Sequence, residues 1–343
     1  MRTMKLQYIQ VLRALAANAV VLCHLVTTEK KYGHGYQIVP DQFLTGEVGV
    51  DLFFVISGFV MAYTAAESGW LSFLIARATR IYPTYWVYTT LLLPVFLIYP
   101  EIVNSAYDHP PSLLRSYFLF PDPVSPLVGQ AWTLVHEIYF YLAFALILAL
   151  RTPMFLSLGF WMLIVLGPSI AFGYQWDKSS TPVLHLVFHP LTLEFALGAF
   201  CGLLIRAKII VAPTVLLLVA TAVFSWEFFH YAGGDWNRVV KFGLPFVVIV
   251  YALSALEHEA RLTAWKRLAK LGDASYSTYL CHVMVMSFIG RLFFWQPIHN
   301  WYTEAIFVSA CIVAVNTCGV ISYLWIERPT LHVSRKLFFS KTN

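Results

Sequence analysis

Charge is what this chain has least of. Only 12% of its 343 residues are Asp, Glu, Lys or Arg, against roughly 25% in a soluble domain. That shortage excludes an ordinary water-soluble enzyme. Cysteine is scarce too: Cys23, Cys201, Cys281, Cys311 and Cys318 all lie in apolar stretches, and none forms a C-x-x-C pair. Neither a zinc motif nor a disulfide framework is indicated. No segment of soluble-domain size remains between the apolar stretches, and no internal repeat is visible. No small-residue cleavage site follows Arg2, Lys5 and the first apolar run. The N-terminus therefore reads as an uncleaved helix ending near Leu25–Glu29. The net charge of +5 requires no nucleic-acid partner, because cytoplasmic loops of membrane proteins collect Lys and Arg.

What is abundant is apolar length: 59% of residues are hydrophobic and 17% aromatic. Ten stretches approach the ~20 residues that a helix needs to cross a bilayer. They are 8–27, 47–66, 81–100, 131–150, 154–173, 185–205, 211–231, 239–256, 274–295 and 302–325. The expectation is an all-α integral membrane protein, a bundle of about ten transmembrane helices in one domain over 1–343. The longest loop, 101–130, shows no helical period, and 257–273 reads as a polar, basic loop. With the N-terminus inside, fifteen Lys and Arg fall on the cytoplasmic side and seven on the other, with Arg13 in the membrane. That bias puts both termini in the cytoplasm.

Ionisable groups at membrane depth face a protein interior or a wet cavity and mark function. Arg13 and His24 lie in the first stretch, eleven residues apart. Eleven steps of about 100° are three turns plus roughly 20°, so the two share a face. On this topology Arg13 is toward the cytoplasmic end, and His24, Asp51 and Glu137 are toward the outer side. Arg77 and Arg80 sit in the connection between helices 2 and 3. Tyr279 and His282 lie in the early, cytoplasmic part of helix 9. A His beside a carboxylate is held in one tautomer and becomes a better base; Glu137 and Asp51 are both candidates for that carboxylate. Asp51 has the further readings of a cation's partner or a helix cap.

Arg77 and Arg80 lie three apart on one face, and Arg grips phosphate bidentately. Alone, the pair also reads as a plain positive flank, with Pro83, Tyr82, Tyr85 and Trp86 as the interfacial start of helix 3. Gly58 suits close helix approach, and Ser57 suits a packing position. His136 points about 100° away from Glu137. Ser275 and Asp273 fit helix capping. His185, His189 and Glu194 lack the spacing of a standard metal motif, so no metal is expected.

Together these segments resemble the membrane-bound acyltransferase family 3, over nearly the whole chain. The residues that carry the likeness are Arg13-x10-His24 and Gly-Val-Asp-Leu-Phe-Phe-Val-Ile-Ser-Gly-Phe at 49–59. Next come Arg-x-x-Arg-Ile-x-Pro-x-Tyr-Trp from Arg77 to Trp86, Trp-Thr-Leu-x-x-Glu from Trp132 to Glu137, and Phe195-x-x-Gly198. The set closes with Ser275, Tyr276, Tyr279 and His282, then Glu327-Arg328-Pro329. The resemblance implies a ten-helix acyltransferase of the exopolysaccharide and O-antigen type, with acyl-coenzyme A as donor and an outward-facing carbohydrate acceptor, free or lipid-linked. With no esterase-like extension after helix 10, transfer is expected to finish within the membrane domain.

The resulting expectation is acyl transfer, acetyl first, in the cytoplasmic membrane of a cell that the resemblance makes bacterial. His24 is the general base, Glu137 with or without Asp51 orients it or the acceptor, and Arg13 stabilises charge. Arg77 and Arg80 hold the donor's phosphates, with Tyr279 and His282 also on the donor. Direct transfer and an acyl-histidine intermediate both fit. The competing readings are a transporter or flippase of a sugar-linked lipid, and more remotely a polysaccharide polymerase.

Overall fold

A computed structural model describes residues 6–65, 68–103, 109–172, 177–230, 234–262, 265–295 and 298–339. Arg2, Lys5 and Lys341, which enter the charge count above, lie outside them. Among the described residues there is no strand, and ten helices are long and apolar enough to span a membrane. They are α1 Gln7–Tyr32, α2 Asp41–Ala65, α3 Trp70–Ile98, α4 Gly129–Leu150, α5 Met154–Ala171, α6 Pro182–Arg206, α7 Pro213–His230, α8 Asp235–His258, α9 Ser275–Phe294 and α10 Trp301–Ser334. This is an all-α, multi-pass membrane protein. The chain divides into two compact units, Met1–Phe53 with Ile210–Trp325, and Phe54–Ile209 with Ile326–Asn343.

In the first unit α1 packs on α9, on the 3₁₀ turns Asp41–Val48 that open α2, and on a short helix, Lys266–Asp273. That short helix lies where the sequence suggested a loop. Eight residues with three cations carry no membrane-span signal. They are helical because Ala269 and Gly272 bury one face while Lys266, Arg267 and Lys270 stay exposed. Gly272 sits so close to Gln10 that a Cβ there would come 1.8 Å from its carbonyl oxygen. The start of α1 is capped from afar: Glu257 accepts the backbone N–H of Gln7 (2.7 Å) and Tyr8 (2.9 Å), two of the donors that a helix N-terminus leaves open. At its other end α1 runs past the expected stop at Glu29 to Tyr32. Glu29 is wholly buried and accepts the backbone N–H of Ile38 (2.8 Å) and Val39 (3.0 Å), folding the following loop back onto the helix.

In the second unit α3 packs on α4 and α5 on α6. The main correction to the sequence reading is here: α3 begins at Trp70, after Gly69, not near Ile81. Pro83 lies inside the helix. A membrane helix tolerates this because a proline removes only one backbone donor and neighbours re-satisfy the freed carbonyl. The Tyr82, Tyr85, Trp86 cluster is not an interfacial start. Its O–H and N–H groups donate to the carbonyls of Phe118 (3.0 Å), Ser116 (2.6 Å) and Tyr117 (3.0 Å). Those carbonyls end a short helix, Leu113–Phe118, inside the stretch expected to lack helical structure.

The crossing of α2 and α6 is set by glycine. A Cβ on Gly58 would lie 1.9 Å from the Phe195 carbonyl oxygen, and one on Gly198 would lie 2.1 Å from that of Val55. Overpacking a core usually costs about 1–3 kcal/mol. The obstacle here is backbone, which cannot rotate away. Gly58→Ala is therefore expected to lose at least that much, read as a lower thermal-unfolding midpoint in detergent; an unchanged midpoint would refute the close crossing.

Candidate active site

The first unit holds His24. Its Nδ1 lies 3.0 Å from the Val20 carbonyl oxygen and 3.4 Å from Nε2 of His282, and the two rings meet edge to face with centroids 4.8 Å apart. The Nδ1 of His282 lies 2.6 Å from the Tyr279 carbonyl oxygen. A carbonyl only accepts, so in each ring Nδ1 carries the hydrogen. His282 then presents a bare Nε2 to His24. His24 donates from Nδ1 to both Val20 and His282, which leaves its own Nε2 as a free lone pair. His24 is partly exposed while His282 is fully buried.

This contact joins two residues that the sequence kept apart. The sequence placed His282 near the cytoplasmic face, away from His24; the ring contact sets the two side by side. The cause is where α9 starts along α1. The preceding helix meets α1 at Gln10, about a turn inside its end. Tyr279 follows, with its ring 5.5 Å from that of His282 and 5.9 Å from that of Phe53. Arg13 sits on α1, half-buried, on the face shared with His24.

Asp51 is fully buried and is clasped by Arg238 on α8. Nη2 donates to Oδ2 at 2.5 Å and Nε to Oδ1 at 3.2 Å. Arg238 also reaches the Glu47 carbonyl (3.5 Å) and carboxylate (3.9 Å). Both Asp51 oxygens are thus engaged by a cation, one of the readings left open by the sequence, and among the described residues no hydrogen bond joins Asp51 to His24. By sequence Arg238 is only one of the seven Lys and Arg counted on the outer side.

The second unit holds Glu137 on α4. One of its oxygens, Oε1, accepts from Ser57 Oγ at 3.0 Å and from Tyr141 Oη in a short hydrogen bond. Arg77 lies beside this group, its guanidinium 5.4 Å from the Phe73 ring centroid and 5.9 Å from that of Tyr141. Arg77 and Arg80 are not in a connection, as the sequence suggested, but within α3, about two to three turns after Trp70. Arg77 Nε is buried without a hydrogen-bond partner. Ser57 and Tyr141 were not assigned from sequence. Tyr141 was readable, lying four residues after Glu137 and hence on its face; Ser57, on another helix, was not. His136 turns the other way as expected, against Trp132, Phe54 and His189. The described residues contain no cluster of His, Cys, Asp or Glu able to hold a metal ion.

The geometry sets an imidazole pair on α1 and α9 of a membrane bundle, and the comparisons say which class of membrane protein this is. An acyltransferase-domain family model matches residues 6–324. The chain belongs to that family, acyltransferase family 3. It is 29% identical to the exopolysaccharide production protein ExoZ of Rhizobium meliloti, over 88% of this chain and 95% of that protein. It is 24% identical to the acyltransferase MdmB of Streptomyces mycarofaciens, over 85% and 81%. It is also 24% identical to the O-acetyltransferase OatA of Staphylococcus aureus, over 95% of this chain but 57% of that one. No solved structure gives a significant match.

Proposed function

We propose that this protein moves an acyl group, acetyl first, from coenzyme A to a carbohydrate hydroxyl, on an exopolysaccharide or its lipid-linked precursor. The observation that carries the reading is the contact of His24 Nδ1 with the Val20 carbonyl and His282 Nε2, an arrangement that turns Nε2 into the proton acceptor. The likenesses to an exopolysaccharide production protein and an O-acetyltransferase support the acceptor and the acyl group. As the acceptor oxygen attacks the thioester carbon, its proton passes to His24 Nε2. The C–S bond breaks as the tetrahedral centre collapses, and the proton returns to the departing thiolate, leaving ester and free coenzyme A. Arg77 and Arg80 hold the donor's phosphates, Tyr279 lines its path, and Arg13 stabilises charge on it. Glu137, with one oxygen fixed by two hydroxyl donors, uses the other to orient the acceptor. The protein works in the cytoplasmic membrane with both termini inside, a reading supported by the Lys and Arg bias.

The test is incubation of membranes containing the protein with radiolabelled acetyl-coenzyme A and extracted polysaccharide. Alkali-labile label on the polysaccharide is the expected result. Unlabelled polysaccharide would overturn the reading in favour of a transporter or flippase. Label held by the enzyme when donor alone is supplied would mark the acyl-histidine route.

A further inference from the structure

We infer that His282 is the positioning residue of His24, taking the place a carboxylate holds in familiar base–orienter pairs. The inference rests on His24 being the base. Three observations carry it. The Nδ1 of His282 faces the Tyr279 carbonyl at 2.6 Å, which fixes its hydrogen there and leaves Nε2 an acceptor. That acceptor lies 3.4 Å from His24 Nδ1, which already faces the Val20 carbonyl at 3.0 Å. Finally, the buried and half-buried carboxylates on α1 and α2 of this unit are held by other groups. Asp51 and Glu47 face Arg238, and Glu29 accepts the backbone N–H of Ile38 and Val39.

The arrangement has a chemical consequence. While neutral, His24 is held with Nε2 open. When Nε2 takes the acceptor's proton, the ring becomes a cation. Its Nδ1–H then strengthens toward two acceptors, the carbonyl and the second imidazole, as charge-assisted bonds do. A neutral partner supports the imidazolium less than a carboxylate does, so His24 gives the proton back to the thiolate more readily. Full burial of His282 keeps water from competing for that bond. The sequence offered no route to the pair: the residues are 258 positions apart, and His282 read as a donor contact.

Two measurements test the inference. The first is steady-state kinetics of His282→Leu and His282→Gln in the full-length protein in membranes. Leu removes the acceptor and should lower kcat by at least tenfold, bounded by the roughly 10²–10⁴ that a general base itself contributes. KM for donor and acceptor should stay within about twofold, since the His282 side chain is fully buried. Gln, whose carbonyl reaches the Nε2 position, should restore most of kcat. Leu and Gln variants equally impaired, or with KM moved in parallel with kcat, would show a merely structural role and overturn the inference. The second measurement reads the wild type itself: ¹⁵N NMR of the histidine-labelled protein in detergent, with signals assigned from His24→Ala and His282→Gln. Both rings should be neutral with the hydrogen on Nδ1; His24 with its hydrogen on Nε2 would overturn the inference. The two readings fail separately. Wild-type activity in His24→Ala removes the base assignment itself. A dead His24→Ala beside an unaffected His282→Leu removes only the role of His282.

Discussion

His24→Ala is expected to reduce acyl transfer by about 10²–10⁴-fold, the usual contribution of a positioned general base, while leaving the protein inserted and folded. The expectation of an intact fold comes from position. His24 is partly exposed, and its neighbours Thr27 and Thr28 bond to its backbone carbonyl (2.8 and 2.6 Å), which alanine retains. Removing the ring takes one partner from His282, whose bond to the Tyr279 carbonyl remains. The measurement is the rate of labelled ester formation per folded enzyme, with the unfolding midpoint in detergent as a control. His24→Gln sharpens it: an amide holds the space and can hydrogen-bond, but it cannot accept a proton at neutral pH. Gln should therefore be as inactive as Ala. Activity within tenfold of wild type in either variant would remove His24 from the reaction, whatever the product assay shows.

The ten spans were legible because each is an apolar run close to bilayer length, a property of the run alone. Their ends were less so. Pro83 looked like the start of α3, yet the apolar residues Leu71, Phe73, Leu74 and Ile75 before it continue the helix back to Gly69. The helix Lys266–Asp273 went unseen because its apolar face is formed by Ala269 and Gly272, whose small side chains give no hydropathy signal and which bury only against α1. For the candidate site, Arg13, His24, Asp51 and Glu137 stood out as candidates through the cost of ionisable groups at membrane depth. Their partners on other helices were not readable. Arg238 meets Asp51 across 187 positions, His282 meets His24 across 258 and Ser57 meets Glu137 across 80. Periodicity relates residues within one helix; which helix lies alongside is decided by contacts such as those of Gly272 with Gln10 and of Gly58 with Phe195.

Breaking the Asp51–Arg238 pair should be among the most destabilising single changes in the protein. Asp51 has no exposure and Arg238 is only 7% exposed, so each is a charge removed from water and supported by the other through two hydrogen bonds. Removing one partner of a buried pair leaves the other uncompensated, at a cost of about 3–5 kcal/mol. Asp51→Leu and Arg238→Met should each show that loss as a marked fall in unfolding midpoint and in yield of inserted protein. The Arg238 side should suffer slightly less after loss of Asp51, because Glu47 stands 3.9 Å from its guanidinium. The double replacement should recover much of the loss, since apolar groups of similar volume often substitute for a buried ion pair at little net cost. Simple addition of the two single effects would show that the residues do not act as one unit. The same three variants decide between the two readings of Asp51. If it only clasps α2 to α8 through Arg238, the double variant should regain acyl transfer along with stability. If the carboxylate itself orients the base or the acceptor, the double variant should fold and remain inactive. With both oxygens held by Arg238 and neither bonded to His24, the expected result is recovery of both.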